Sequence, residues 1–144
     1  MPQTKSILTN DQVRYLASVG FNLYEQGKTE DAKTMFNGLV AASDSYYGYA
    51  GLGAIALAQN PPELDVAFEN LRKAEERNPD DPTVHANIGE VFLRRVKFED
   101  AAAEFHKAFE LDPEKRDAGA NRARALIAAL SSVAQEIEKA GVNR

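Results

Sequence analysis

The segment Pro82–Lys115, PTVHANIGEVFLRRVKFEDAAAEFHKAFELDPEK, carries the pattern that decides the fold. Its first half places aromatic, aliphatic or small residues at i, i+3, i+4 and i+7, which share one face of a helix: His85, Ile88, Gly89 and Phe92. After Val96-Lys97, a similar spacing returns at Ala101, Phe105 and Ala108, and Asp112-Pro113 ends it. The segment therefore predicts two helices joined by a short turn.

Two further copies of this pattern precede the segment. The glycine of the first helix recurs at intervals of 33 and 36 residues, at Gly20, Gly53 and Gly89. The small residue of the second helix recurs at intervals of 35 and 34 residues, at Ala32, Ala67 and Ala101. The extra length of the middle copy falls at 60–62, inside a predicted turn. Because one helix pair cannot bury its own apolar face, three copies in register predict a continuous stack.

This pattern resembles the tetratricopeptide repeat, a helix–turn–helix unit of about 34 residues. The resemblance implies an all-α fold of three repeats in a right-handed superhelix, at about 13–45, 46–81 and 82–115. A long capping helix is predicted at about 114–140, and residues 1–9 are expected to be a flexible tail before a single domain over 10–144. The capping helix is interpreted as a solvating end cap, and a partner-docking helix is the alternative.

Composition excludes several classes of function. The chain has 144 residues, a net charge of −5 and no cysteine, which excludes disulfides and thiolate metal sites. The negative charge argues against nucleic acid or anionic lipid as the main partner. No apolar run reaches about 18 residues, so no membrane span is predicted. Residues 1–9 show no secretory signal, and a cytoplasmic location is expected.

Neither catalysis nor a metal or other cofactor is predicted. The two histidines, His85 and His106, occupy different helices, and neither has a second histidine at i+3 or i+4. His85 is expected to fill the large aromatic position of its repeat with a satisfied ring nitrogen. The acidic pairs at 30–31 and 99–100 open helices, where the helix dipole explains them. Basic residues at 94–97, 122 and 124 lack interleaved aromatic residues and are interpreted as a solvated face.

The first helices offer a candidate binding surface on the concave side of the superhelix. Relative to each repeat glycine, positions three before, one after and four after share one helical face. Such a face would normally be charged, yet most of these positions are apolar, which favours a groove for an extended or helical peptide segment. Burial between adjacent first helices is the alternative, and Glu90 could fix the register of a ligand. The predicted groove residues are Ala17, Phe21, Tyr24, Tyr47, Ala50, Ala54, Leu57, Ala86, Glu90, Leu93, Arg124 and Ile127.

Part of the chain resembles a particular branch of these repeat proteins, the class II type III secretion chaperones of the SycD/LcrH type. The resemblance rests on Tyr24, Gln26-Gly27-Lys28, Glu30-Asp31-Ala32, Phe36, Leu39 and Gly51-Leu52-Gly53-Ala54. It implies a chaperone that keeps a translocator-like client soluble by gripping a segment of it in the groove. Family groove residues would map onto Phe21, Tyr24, Tyr47, Ala54, Leu57 and Leu93.

Two further expectations concern the partners. The short segment before the first repeat puts family-style dimerisation in doubt, so a monomer or weak homodimer is expected. The positions at which related repeats clamp a terminal carboxylate provide no cation here, so that mode of binding is not predicted. The alternative function is a scaffold that joins folded proteins in an assembly.

Overall fold

The computed structural model describes residues 6–141, and within them it contains seven helices and no strand. Three helix pairs follow one another, and a long terminal helix completes the stack. The bounds are α1 Asn10–Glu25, α2 Thr29–Ser43, α3 Tyr46–Ala58, α4 Leu64–Arg77, α5 Pro82–Arg94, α6 Phe98–Leu111 and α7 Ala118–Gly141. The predicted all-α architecture of three helix–turn–helix repeats and a terminal helix is confirmed.

Local capping residues set the starts of α1, α3 and α5. The Thr9 hydroxyl accepts a hydrogen bond from the Gln12 N–H at 3.2 Å, and the Gln12 side chain accepts one from the Thr9 N–H at 2.9 Å. This is a complete capping box. Ser45 caps α3, and Asp81 caps α5 just before a proline at the first helical position. These helix starts follow directly from short-range sequence signals.

The terminal helix begins later than the sequence predicts, at Ala118 rather than near Glu114. The carboxylate of Asp117 accepts a hydrogen bond from the Ala120 N–H at 2.8 Å and one from the Thr83 hydroxyl at 2.8 Å. Asp117 therefore acts as the N-cap of α7 while it is held by the third repeat.

The predicted flexible tail is only partly within the described residues. Residues 1–5 lie outside them, as do residues 142–144 of the predicted domain. Of the remainder, the Ile7 N–H donates to the Ala42 carbonyl at 3.3 Å, and Leu8 packs on the core of the first repeat. Ile7 and Leu8 therefore contact the first repeat, and the flexibility of residues 1–9 stays a prediction.

The repeat glycines allow each second helix to approach the backbone of its first helix. A Cβ atom at Gly53 would lie 2.6 Å from Leu71, and one at Gly89 would lie 2.6 Å from Phe105. Phe36 has the same relation to Gly20, where a Cβ would lie 2.8 Å from its ring. Because these distances are below van der Waals contact, glycine at the repeat position is required by the helix packing.

The stack is curved, with the first helices on its inner side. Each odd-numbered helix contacts the next one, from α1 through α7. Within residues 6–141, by contrast, no Cα atoms of α2 and α4, or of α4 and α6, lie within 8 Å of each other. The first helices therefore lie closer together than the second helices, as expected for a helical-repeat superhelix.

Candidate peptide-binding groove

An uncharged, partly exposed surface is formed by side chains of α1 and α3 that helical register predicts to face the inner side of the stack. Phe21 is 37% exposed, and the four other members are partly exposed. We refer to these residues as the α1/α3 patch: Phe21, Tyr24, Tyr47, Ala50 and Ala54. All five belong to the predicted groove, and none carries a charge.

The aromatic members of the α1/α3 patch pack against the buried core of the first repeat. The ring of Phe21 meets the buried ring of Phe36 edge to face, with centroids 4.9 Å apart. Tyr24 and Tyr47 both pack on the cluster that contains Phe36. The centroids of the Tyr47 and Tyr46 rings lie 4.3 Å apart. Burial raises the pKa of the Tyr46 hydroxyl to about 12. The patch is therefore a supported, uncharged surface.

The sequence of α3, YYGYAGLGAIALA, explains why it can contribute to both the core and the α1/α3 patch. The helix contains no charged residue, and most of its positions are buried. A helix that is apolar on every side is normally surrounded by other elements, and α3 contacts α1, α2, α4 and α5. Its side bearing Tyr47, Ala50 and Ala54 retains partial exposure.

Four predicted groove residues are buried and form no accessible surface. Ala17, Leu57 and Ala86 are each 3% exposed, and Glu90 is 5% exposed. The three apolar residues pack between helices, because consecutive first helices approach closely on the inner side of the stack. For these positions the structure agrees with the alternative interpretation, burial between adjacent helices.

Glu90 is not free to fix the register of a ligand. Its carboxylate accepts a hydrogen bond from Arg94 Nε at 3.2 Å and forms an ion pair with Arg122 Nη2 at 3.1 Å. A buried carboxylate needs such partners. Glu90 therefore joins α5 to α7, and two of the arginines interpreted as solvated have a structural role.

The last three predicted groove residues lie near the terminal helix. Arg124 donates to the Asp112 carboxylate at 2.8 Å and to the Asp112 carbonyl at 2.7 Å, so it ties α7 to the end of α6. This guanidinium holds the pKa of the Asp112 carboxyl below its usual range. Leu93 and Ile127 instead line a separate pocket of about 310 Å³ with residues of α6, including Phe98 and Phe109.

A second cluster, which sequence reasoning missed, lies between α4, α5 and α6. Nδ1 of His85 is 2.9 Å from Oε2 of Glu104 and 3.3 Å from Oε2 of Glu75, and Nε2 is 2.6 Å from the Pro79 carbonyl oxygen. A second histidine at i+3 or i+4 on the same helix is the wrong criterion for this cluster, because its members come from three helices. The available signal was Glu104, an acid directly beside the buried Phe105.

Within residues 6–141, no helix has the length and apolar character that a membrane crossing requires.

We refer to the cluster between the three helices as the Glu75–His85–Glu104 cluster. Its two glutamates belong to the second helices α4 and α6 and its histidine to α5, whereas the α1/α3 patch belongs to α1 and α3. The two features are therefore separate candidates for function.

Comparison with known proteins identifies structures of the same fold. No protein-family model matches the sequence, and no curated protein matches it. The translocator chaperone SycD of Yersinia enterocolitica type III secretion superposes with a TM-score of 0.70 and 24% identity, covering 88% of this chain and 96% of SycD. PcrH of Pseudomonas aeruginosa, solved in complex with the chaperone binding region of PopB, gives 0.66 and 24%, covering 84% and 98%.

The fold is not confined to chaperones of secretion. The TPR domain of Arabidopsis OM64 gives a TM-score of 0.65 with 18% identity, covering 78% of this chain and 91% of that domain. At these levels of identity the similarity shows a shared fold. The function of this chain must therefore be argued from its own surface.

Proposed function

We propose that this protein is a binding protein, not an enzyme, that acts as a chaperone for an apolar segment of a secreted, translocator-like client. The observation that carries the proposal is the α1/α3 patch, an uncharged and partly exposed surface formed by two neighbouring first helices of the stack. Exposed apolar surfaces of this kind are usually partner sites. The proposed role implies a cytoplasmic location, because such a client is held before it is secreted.

The fold comparison supports this class of partner. SycD has been solved with a peptide of the translocator YopD, and PcrH with the chaperone binding regions of PopB and PopD. This chain has the same helical stack, with aromatic and small residues side by side in the α1/α3 patch. Small residues such as Ala50 and Ala54 leave room for a client backbone, and Phe21, Tyr24 and Tyr47 provide flat walls.

The size of the α1/α3 patch indicates weak, reversible binding. Three client side chains buried at about 2 kcal/mol each would contribute roughly 6 kcal/mol. Ordering an unstructured segment costs about 2–5 kcal/mol. Without several kcal/mol from backbone hydrogen bonds, the affinity should be about micromolar or weaker. Such an affinity suits a chaperone that must later release its client.

A substitution in the α1/α3 patch tests the proposal. Ala54→Glu places a charge among apolar side chains and should prevent client binding, whereas Ala103→Glu on the exposed side of α6 makes the same chemical change elsewhere. The wild type and both variants would be purified from the native host, and the retained proteins quantified by mass spectrometry. An unstructured, apolar secreted protein should be retained by the wild type and by Ala103→Glu, and lost from Ala54→Glu.

The chain also permits a direct binding measurement. It contains no tryptophan, so fluorescence from a tryptophan placed in the PopB chaperone binding segment reports only on the peptide. Titration should give a dissociation constant that Ala54→Glu weakens at least tenfold and Ala103→Glu leaves unchanged. Retention of the same secreted client by Ala54→Glu would refute the proposed surface.

A scaffold function is the second candidate, because α7 presents exposed apolar residues in its second half. Leu130, Val133 and Ile137 lie along one side of its exposed second half. If folded components of an assembly were retained equally by wild type and Ala54→Glu, and lost from Val133→Glu, the scaffold would replace the chaperone. A monomer or weak homodimer is proposed in either case.

A further inference from the structure

The Glu75–His85–Glu104 cluster has the donor atoms of a metal site in a protected position. His85 is 5% exposed and Glu104 is 4% exposed. Nδ1 of His85 and one carboxylate oxygen from each glutamate lie within 4.8 Å of one another. Each of the three residues comes from a different helix, α4, α5 or α6.

The outer hydrogen bond of His85 fixes which ring nitrogen faces the carboxylates. The Pro79 carbonyl can only accept, so Nε2 carries the proton that it receives at 2.6 Å. Nδ1 therefore faces two carboxylate oxygens, and a proton or a cation must lie between them. Metal-binding histidines are typically oriented in this way, with the second nitrogen donating to a backbone carbonyl.

The carboxylates are also held by cations on the side away from His85. Oε1 of Glu75 accepts from Arg72 at 2.7 Å, and Oε1 of Glu104 lies 3.4 Å from both Arg72 and Lys107. The Oε2 atoms of both glutamates remain directed toward Nδ1. Outer partners of this kind orient the carboxylates that bind a metal.

A pocket of about 630 Å³ gives access to the cluster from outside. Its lining includes three carboxylates and one lysine, which favours the entry of cations. The lining residues are Glu75, Glu76, Pro79, His85, Lys107, Glu110 and Leu111.

We propose that the Glu75–His85–Glu104 cluster binds a divalent transition-metal ion, with zinc as the representative. Nδ1 of His85 and the Oε2 atoms of Glu75 and Glu104 would be the ligands, with a fourth position facing the pocket. Zinc lies about 2.0–2.2 Å from nitrogen and oxygen ligands, so tetrahedral ligand atoms are about 3.3–3.6 Å apart. The separations of 2.9 and 3.3 Å from Nδ1 approach this geometry.

The chemistry of the donors favours zinc over magnesium or calcium, because imidazole nitrogen is a poor ligand for the latter two. On binding, zinc replaces the proton between Nδ1 and the carboxylates, and that proton passes to solvent. Arg72 and Lys107 already balance part of the carboxylate charge, so the affinity should be below that of a closed structural zinc site. The bound ion would join the second repeat to the third.

The test uses the full chain with any affinity tag removed, treated with chelator and then returned to chelator-free buffer. All proteins carry His106→Gln, because His106 lies 3.0 Å from Glu110 at the surface and could bind zinc weakly by itself. The chain has two histidines and no cysteine, so His85 is then the remaining imidazole. Calorimetric titration with zinc chloride, and with magnesium chloride as control, measures binding.

We expect one zinc per chain and no heat of binding with magnesium. At free zinc 100-fold above the dissociation constant, the unfolding midpoint should rise by about 9 °C. Glu75→Gln should weaken zinc binding at least tenfold, and it should fold normally because Glu75 is partly exposed. His85→Gln should abolish binding; if that variant is unfolded, Glu75→Gln decides. Absence of zinc binding, or equal affinity in Glu75→Gln, would overturn the proposal.

Discussion

Two Gly→Ala substitutions in neighbouring helices should change stability in opposite directions. At Gly51 in α3, an added Cβ would lie 2.6 Å from three ring atoms of Phe36. At Gly38 in α2, an added Cβ meets nothing within 4 Å. Because the chemical change is identical, the difference isolates the packing of Phe36 between the first two repeats.

The magnitude follows from the contacts. Carbon atoms pack favourably at about 3.5–4.0 Å, so the methyl group at Gly51 must displace the ring by roughly 1 Å. Phe36 is fully buried, and Gly20 faces the same ring. Overpacking of this kind costs about 1–3 kcal/mol, and three short contacts favour the upper end. The gain in helix propensity offsets about 1 kcal/mol, which leaves a net loss of about 2 kcal/mol.

For Gly38→Ala only the propensity gain remains, so the free energy of unfolding should rise by about 1 kcal/mol. Urea unfolding followed by circular dichroism measures both changes. With a slope of about 2 kcal/mol/M, the midpoint should fall by about 1 M for Gly51→Ala and rise by about 0.5 M for Gly38→Ala. Equal shifts in the same direction would show that the contact between Phe36 and Gly51 does not control the packing.

A double-mutant cycle separates the contact from general effects on α3. Phe36→Leu removes the ring edge that the new methyl group would meet, so Gly51→Ala should cost less in that background. The coupling should be about 0.5–3 kcal/mol. If the two substitutions are additive, the destabilisation has another origin and the explanation fails.

Three other predictions concern capping, the core and pH. Thr9→Ala removes the capping box and should lower stability by about 1 kcal/mol, seen as a thermal midpoint about 3 °C lower; an unchanged midpoint would contradict the role of the cap. Leu71→Ala empties a fully buried site and should cost about 2–5 kcal/mol in urea unfolding, and a cost below 1 kcal/mol would show that α3 and α4 can close the cavity. Hydrogen bonds from Tyr49 and Arg77 lower the pKa of Asp44, so this stabilisation is present above about pH 4 and is lost as pH falls through the lowered pKa. Arg77→Ala should therefore flatten the acid branch of a stability–pH curve, and an identical branch would exclude the ion pair as its cause.

The fold could be predicted because its signals are local and repeated. Capping residues such as Thr9, Ser45 and Asp81 act within three residues of themselves, and the spacing of small residues defines each helix pair. The predicted start of α7 was about four residues too early. In the structure Asp117 is fixed by the Thr83 hydroxyl, 34 residues away in sequence. No local pattern contains that contact.

The exposure of the candidate groove residues could be predicted only in part from the sequence. Helical register places Phe21, Tyr24 and Ala54 on the inner side, and these residues are at least partly exposed. Register does not give the distance between consecutive first helices, and that distance decides that Ala86 and Glu90 are buried. Whether a predicted inner-face position is buried or exposed therefore depends on how closely the helices pack, which the sequence of one repeat does not give.

The composition of α3 links the stability of the stack to the α1/α3 patch. Gly48, Gly51 and Gly53 lie within a helix of 13 residues, and each costs about 1 kcal/mol relative to alanine in intrinsic helix propensity. Most of the stability of α3 must then come from the helices that surround it. A client that covers Tyr47 and Ala54 would add packing to the helix with the weakest intrinsic preference in the stack. The glycines that let Phe36 and Leu71 approach the backbone therefore also make the stability of α3 depend on what packs against its partly exposed side.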